Sequence, residues 1–151
     1  MQADGVAQAA LFCCLLLAAS VWDIRKRIVP DTLCALVFCT GLLAYTPDKL
    51  SGILLALPLL IAALIKEGGM GGGDIKLTAV AGFVLGLPVG TEGLILGLSA
   101  VLGYDMIRKG IRKLKKTEMS AAGERILPLA PFLSAGFIAA YFMNLTGGLI
   151  L

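Results

Sequence analysis

The chain has 151 residues and a formal net charge of +3, and 58% of its residues are hydrophobic while 15% are charged. Soluble domains are about 45–50% apolar and about 25% charged, so this composition excludes an ordinary soluble domain and favours a membrane protein. Histidine is absent, which excludes a Ser-His-Asp or Cys-His nucleophile system and any metal site built on histidine.

The hydropathy pattern predicts about six membrane-spanning helices, at residues 6–22, 29–46, 50–65, 75–89, 92–107 and 127–145. Helices of about 20 residues each would use most of the chain, so the loops are too short to form a separate soluble domain. Proline, glycine and charged residues mark the breaks, including the glycine run that ends at Gly73 and the stretch from Pro88 to Thr91. We therefore predict an all-α, polytopic membrane protein in which residues 1–151 form one transmembrane domain.

The distribution of basic residues predicts the orientation of these helices. Every lysine and arginine except Lys49 falls at the first, third or fifth predicted loop. Basic residues concentrate in cytoplasmic loops, so these three loops are predicted to face the cytoplasm and both termini to face outside. Membrane topology, assisted by anionic lipids, explains the positive charge at that edge. We therefore predict membrane lipids as partners of the chain and no nucleic acid.

Two aspartates lie where the predicted helices meet the cytoplasmic edge. Asp23 follows the apolar run of the first segment, and Asp74 opens the fourth. A charged side chain at membrane depth is costly, so such a residue is a functional hypothesis by default. Two carboxylates brought close together share one proton. One of them can then activate a water as general base while its protonated partner polarises or protonates an amide, a chemistry that needs no metal and no cofactor.

Other interpretations of the two aspartates stay open at this point. In the structural one, Asp74 caps the fourth helix and Asp23 pairs with the basic residues from Arg25 to Arg27. Two functional alternatives are a small transporter that relays protons or binds a cation, and a scaffold for a secretion assembly. Asparagine at either position would abolish cleavage by a protease and flux through a transporter, and would leave a scaffold unaffected.

The glycine run that includes Gly71, Gly72 and Gly73 also has more than one interpretation. Glycine adopts backbone conformations that other residues avoid and lets another chain approach closely, so the run is a candidate platform for an extended substrate beside Asp74. A phosphate cradle is the second interpretation, but the G-x-x-x-x-G-K-[ST] pattern is absent. The third is a flexible connector between two helices.

Three segments together resemble the type IV prepilin peptidases, a family of membrane-embedded aspartic proteases. Gly71-Gly72-Gly73-Asp74 resembles the G-x-G-D signature of that family. Asp23-Ile24-Arg25, with Ile28-Val29-Pro30-Asp31 after it, resembles its D-x-R motif and the I-P-N-like turn that follows. Leu127 to Leu133 resembles the P-x-x-P-F-L start of the last helix. The three motifs occur in the family's order and cover most of the chain.

The resemblance implies that Asp23 and Asp74 form the catalytic pair. It implies cleavage after a glycine, at the cytoplasmic face of the cytoplasmic membrane, of prepilin-like proteins that carry a basic leader and an apolar N-terminal helix. The chain lacks the N-terminal region with cysteine pairs of the members that also methylate their product, so the resemblance implies peptidase activity alone. It leaves the identity of the prepilin and the oligomeric state open.

Substrate-binding or supporting roles are expected for a further set of residues: Gly71, Gly72, Gly73, Lys76, Arg25, Pro30 and Asp31. Lys76 either tunes the aspartate pair or contacts the peptide, or it is simply a lysine that reaches the membrane surface. Arg25 either orients Asp23 or serves only as a topology signal. Asp31 stands where the family usually has asparagine, which places any specific hydrogen-bond role of that position in doubt.

Two structural predictions concern the remaining helices. The small residues Gly82, Gly86 and Ser134-Ala135-Gly136 are expected to be helix-packing contacts. Asp105 is expected to end the fifth helix and to form an ion pair with Arg108 or Lys109, three and four residues further on.

Overall fold

The computed structural model describes residues 3–26, 28–43, 45–65, 71–114 and 129–147, and every regular element within those ranges is helical. Helix α1 spans Ala3–Lys26 and α2 spans Asp31–Leu43, and a 3₁₀ segment, Pro47–Ala56, leads into α3, Leu57–Ile65. Helices α4, α5 and α6 span Gly72–Leu85, Leu87–Leu114 and Ala130–Gly147. The predicted all-α fold is confirmed.

The helices have the length and the surface of a membrane protein. Three stretches are long and apolar enough to cross a bilayer, Ala7–Lys26, Pro47–Ile65 and Leu87–Ile111, and two shorter apolar helices are Asp31–Leu43 and Ala130–Thr146. Large apolar side chains point outward, among them Leu17, Ile61 and Ile95, as expected where lipid replaces water. The number of crossings and the side on which the termini lie remain predictions.

The boundary between α4 and α5 differs from the prediction. The chain turns at Gly86, whose φ of 81° is in the left-handed region that favours glycine. The N–H of Gly86 donates to the carbonyl of Gly82 at 2.7 Å and ends α4. Pro88 lies in the first turn of α5, where its missing N–H costs nothing. The predicted break from Pro88 to Thr91 is therefore wrong. Gly86 is the turn residue, and its backbone also packs closely against Gly52, as predicted.

Helix α5 is also longer than hydropathy indicated. It continues to Leu114, well past the predicted end at residue 107, because a helix can leave the apolar layer and continue with charged residues. Asp105 therefore lies within the helix and does not end it. Its Oδ2 is 2.6 Å from the Nζ of Lys109, so the predicted ion pair is confirmed for Lys109.

Helix α4 is the centre of the bundle. It packs against α2, the 3₁₀ segment, α5 and α6, and α5 packs along α6. Glycine backbones meet at two of these interfaces: a Cβ on Gly82 would overlap the carbonyl of Gly52, and one on Gly136 would overlap the backbones of Gly93 and Gly97. Such close approach is typical of membrane helices. The packing role predicted for Gly82 and Gly136 is confirmed.

The last turn of α1 and the first turns of α2, α4 and α6 lie at the same end of the bundle. Asp23 contacts the first residue of α6, Lys76 of α4 contacts Asp31 of α2, and Gly73 packs against Val29 in the connection between α1 and α2. Residues that are far apart in the chain are therefore collected at this end.

Candidate active site

Asp23 lies in the last turn of α1, and its side chain points into the bundle, where the residue is only 5% exposed. The backbone N–H of Ala130 donates a hydrogen bond to its Oδ2 at 3.2 Å. Asp23 is therefore fixed by the beginning of a helix that lies 107 residues away in the sequence. A carboxylate is well suited to this place because the N-terminus of a helix carries partial positive charge.

The sequence at the start of α6 explains why Ala130 needs an acceptor from another helix. The first N–H groups of a helix have no partner within it. The carbonyl of Leu129 accepts the N–H groups of Phe132 and Leu133, at 3.2 and 3.1 Å, and Pro131 has no N–H. The N–H of Ala130, the first residue of α6, therefore needs an acceptor outside the helix. The carboxylate of Asp23 takes that role.

Asp74 is the third residue of α4, and it is buried without a comparable partner. Its own N–H donates to the carbonyl of Gly71 at 3.1 Å, and the N-cap of α4 is Gly71, which has no side chain with which to form a cap. The residue is 8% exposed, and Oδ1 has no hydrogen-bond partner among the residues that the structure describes. Buried polar atoms are nearly always hydrogen-bonded, so an exception of this kind requires an explanation. The interpretation of Asp74 as the cap of its own helix is wrong.

The carboxylates of Asp23 and Asp74 lie close enough for the charge of one to act on the other. Arg25 is exposed and makes no ion pair with Asp23 within the described ranges, so the expected pairing of these two residues is not found. Arg27, the other arginine of that interpretation, lies outside the described residues. Two buried carboxylates that repel each other favour the state in which they share one proton.

The three glycines before Asp74 are not equivalent. A Cβ on Gly73 would lie 2.9 Å from the Cβ of Val29 and 3.2 Å from its backbone N and O. A Cβ on Gly72 would meet nothing within 4 Å, and one on Gly71 would lie 3.6 Å from the Oδ2 of Asp74. Gly73 is thus required by close packing, whereas Gly71 and Gly72 form an exposed surface beside Asp74.

The connection between α1 and α2 supplies the other side of that contact. Val29 is 5% exposed and belongs to the core. The carbonyl of Pro30 accepts the N–H of Leu33 at 3.0 Å, which begins α2. The structure therefore places Pro30, a predicted supporting residue, at the start of α2.

Lys76 pairs with Asp31, a partner that the sequence did not predict. Its Nζ is 2.8 and 3.0 Å from the two carboxylate oxygens, which links the first turns of α2 and α4. Both side chains are largely exposed, so water and salt screen the attraction and the pair adds little to stability. Within the described residues neither side chain bonds to Asp23 or Asp74.

Sequence reasoning missed three contributors to the site: Val29, the N–H of Ala130, and a contact between Ser20 and Ser134. The first N–H groups of any helix lack partners within it, but nothing in the sequence near Ala130 indicates that Asp23 is the acceptor. Ser134 was predicted as a packing residue only.

No group of three or more Cys, Asp or Glu side chains that could hold a metal ion occurs in the described part of the chain.

The cap on α6 predicts a stability difference between two variants of Asp23. Asp23→Asn keeps a side-chain oxygen that can accept the N–H of Ala130, whereas Asp23→Ala removes it. Because both lose the charge, their difference isolates the cap, and the alanine variant should be less stable by about 0.5–2 kcal/mol. Unfolding of both proteins in detergent measures this, and equal stabilities would show that the hydrogen bond contributes nothing.

The packing of Gly73 predicts a second difference, with its neighbour as the control. Gly73→Ala forces a methyl group into Val29 and should lower the free energy of unfolding by about 1–3 kcal/mol. Gly72→Ala adds the same methyl group in open space and should be nearly neutral. The measurement compares the midpoints of thermal unfolding of the two variants. A Gly73→Ala protein as stable as the Gly72→Ala protein would contradict the close contact between Gly73 and Val29.

Comparison with known proteins agrees with the resemblance seen in the sequence. The profile of the type IV leader peptidase family matches residues 10–143. The chain is 34% identical over 145 residues to the "Prepilin leader peptidase/N-methyltransferase" of Bacillus subtilis (strain 168), in an alignment that covers 88% of this chain and 54% of that protein. It therefore spans about half the length of that relative. No solved structure matches the chain. The family match and the identity to this relative show that the chain belongs to the type IV leader peptidase family.

Proposed function

We propose that this protein is a membrane-embedded aspartic endopeptidase that removes the basic leader peptide from prepilin-like proteins. The observation that carries the proposal is the buried Oδ1 of Asp74, which has no partner in the described structure and lies within electrostatic reach of Asp23. Membership of the family supports the class of substrate, because the relative from Bacillus subtilis is named a prepilin leader peptidase/N-methyltransferase. For this chain we propose the peptidase activity alone.

The proposed mechanism uses the two carboxylates in complementary states. The ionised one takes a proton from a water molecule, whose oxygen attacks the carbonyl carbon of the scissile amide. The protonated one polarises the carbonyl oxygen and then supplies the proton that the leaving nitrogen needs when the C–N bond breaks. Asp23 is held in place by Ala130, and Asp74 presents an oxygen that no protein group occupies in the described structure.

The positions of basic residues support a reaction at the cytoplasmic face of the cytoplasmic membrane. Arg25 and Lys26 end α1, and Lys76 is the fifth residue of α4. These described basic residues lie at the same end of the bundle as the aspartates, as expected for a cytoplasmic edge. In the proposed arrangement the apolar helix of the substrate remains in the lipid beside the enzyme. The junction between the leader and the helix of the substrate lies over the exposed surface of Gly71 and Gly72. Residues 1–151 of the enzyme form one transmembrane domain in this proposal.

Loss of either carboxylate should stop the reaction. Asp23→Asn and Asp74→Asn each remove the acid-base function and are expected to reduce cleavage by at least about 100-fold. Co-expression with a prepilin-like substrate, scored by gel shift and by the mass of the new N-terminus, measures this. Asp105→Asn is the matched control, since it replaces a partly exposed aspartate whose ion pair is with Lys109. Leader removal by both asparagine variants would reject the aspartate pair as the catalytic group.

A shared proton also predicts how the rate depends on pH. At low pH both carboxylates are protonated and no general base remains, whereas at high pH both are ionised and no general acid remains. The rate of leader removal by the purified protein should therefore rise and then fall as the pH increases, with two apparent transitions that belong to the pair. Asp105→Asn should have the same profile. A rate that is constant across the acid and neutral range would contradict the mechanism.

A further inference from the structure

Helices α1 and α6 are joined by a pair of buried serine hydroxyls. Ser20 is 8% exposed and Ser134 is 1% exposed. The Oγ of Ser20 lies 2.9 Å from the carbonyl oxygen of Leu16, and the Oγ of Ser134 lies 2.5 Å from that of Ala130. The two hydroxyls are also hydrogen-bonded to each other across the interface.

The serine pair lies one helical turn from Asp23 along α1 and one helical turn from Ala130 along α6. Ser20 precedes Asp23 by three residues in α1, and Ser134 follows Ala130 by four residues in α6. The N–H of Ala130 in turn donates to Asp23. The contacts therefore close a ring in which α1 and α6 are joined at two successive turns. Two points of attachment fix both the height and the rotation of the start of α6 relative to Asp23.

The surroundings of the pair are apolar. Leu16 and Ala19 of α1 and Leu133 and Phe137 of α6 are fully buried, and the rings of Phe12 in α1 and Tyr141 in α6 lie 5.8 Å apart, centroid to centroid. Two hydroxyl hydrogens serve the contact between the serines and the contacts to the carbonyls of Leu16, Ala130 and Pro131. When one hydroxyl donates across the interface, the other therefore donates to a carbonyl of its own helix. In apolar surroundings a hydroxyl without a partner is costly, which favours the single arrangement that satisfies both.

We propose that Ser20 and Ser134 are positioning residues for Asp23 in leader cleavage, an inference that rests on the proposed function. Without the pair, the start of α6 is free to shift along α1, and the N–H of Ala130 no longer holds Oδ2 of Asp23 in one place. Neither serine touches the substrate. Their loss therefore slows the chemical step and leaves binding of the prepilin-like protein unchanged.

The test compares steady-state cleavage by Ser134→Ala, Ser20→Ala and the double variant, all as purified full-length chains in detergent with a prepilin-like substrate. Rates are normalised to the fraction of folded protein that size-exclusion chromatography measures. We expect kcat to fall by about 10- to 100-fold, as small misplacements of catalytic groups do, with KM unchanged. The double variant should be no slower than either single variant, because each alone breaks the pair.

Two further variants separate positioning from a general effect of removing a hydroxyl. Ser99→Ala is the matched control, because the Oγ of Ser99 also bonds to a carbonyl of its own helix, that of Leu96, on the exposed surface of α5. Its kcat should equal that of the unaltered chain. Ser20→Thr keeps the hydroxyl and should restore most of the rate that Ser20→Ala loses, which a loss of packing alone would not predict.

The outcomes distinguish this inference from the function on which it rests. A normal kcat in Ser134→Ala and Ser20→Ala, or a decrease that disappears after normalisation to folded protein, overturns the positioning role and leaves the peptidase proposal intact. No cleavage by the unaltered chain on several prepilin-like substrates overturns the peptidase proposal and this inference together. A lowered kcat at constant KM, rescued by Ser20→Thr, supports both.

Discussion

Two carboxylates buried at one end of a helix bundle impose the main energetic constraint on this structure. A buried polar atom left without a partner costs about 1–3 kcal/mol, and a charged one costs more. Asp23 meets part of this cost by accepting the N–H of Ala130, a donor that itself needs an acceptor. Asp74 does not, since its Oδ1 has no partner within the described ranges. The bundle must therefore gain elsewhere the stability that it gives up at Asp74, as proteins with functional sites commonly do.

Close backbone packing and a few buried polar contacts supply that stability. Lipid is as apolar as the side chains it touches, so helices in a membrane associate through tight packing and hydrogen bonds. The glycine contacts of α4 with the 3₁₀ segment and of α5 with α6 provide the packing. Helix α1 is held at two levels: Gln8 donates to the carbonyl of Thr40 in α2 at 2.9 Å, and Ser20 bonds with Ser134 of α6. The helix that carries Asp23 is thus anchored on both of its neighbours.

Features encoded within a short stretch of sequence could be predicted, and features that depend on distant residues could not. Hydropathy found the helices, and the charge at membrane depth identified Asp23 and Asp74. The same method misplaced the break at Gly86, because only the neighbouring helices decide whether a glycine takes a positive φ. It also missed the C-terminal end of α5, where charged residues continue the helix. The bond from Ala130 to Asp23 joins residues 107 positions apart, and that from Lys76 to Asp31 joins residues 45 positions apart. No local pattern indicates such pairs.

The two aspartates are mounted on different supports, and this bears on how the pair can work. Helices α1 and α4 both pack against α2 and α6, so these two shared neighbours set the separation of the carboxylates. At the site itself the start of α6 holds Asp23, while the close fit of Gly73 against Val29 fixes Asp74 relative to the start of α2. A peptide that approaches over the exposed Gly71 and Gly72 would reach Asp74 first and need not displace the bond on Asp23. The structure therefore permits substrate binding to change the surroundings of one carboxylate while the other stays fixed, which is the asymmetry that acid-base catalysis by two chemically identical groups requires.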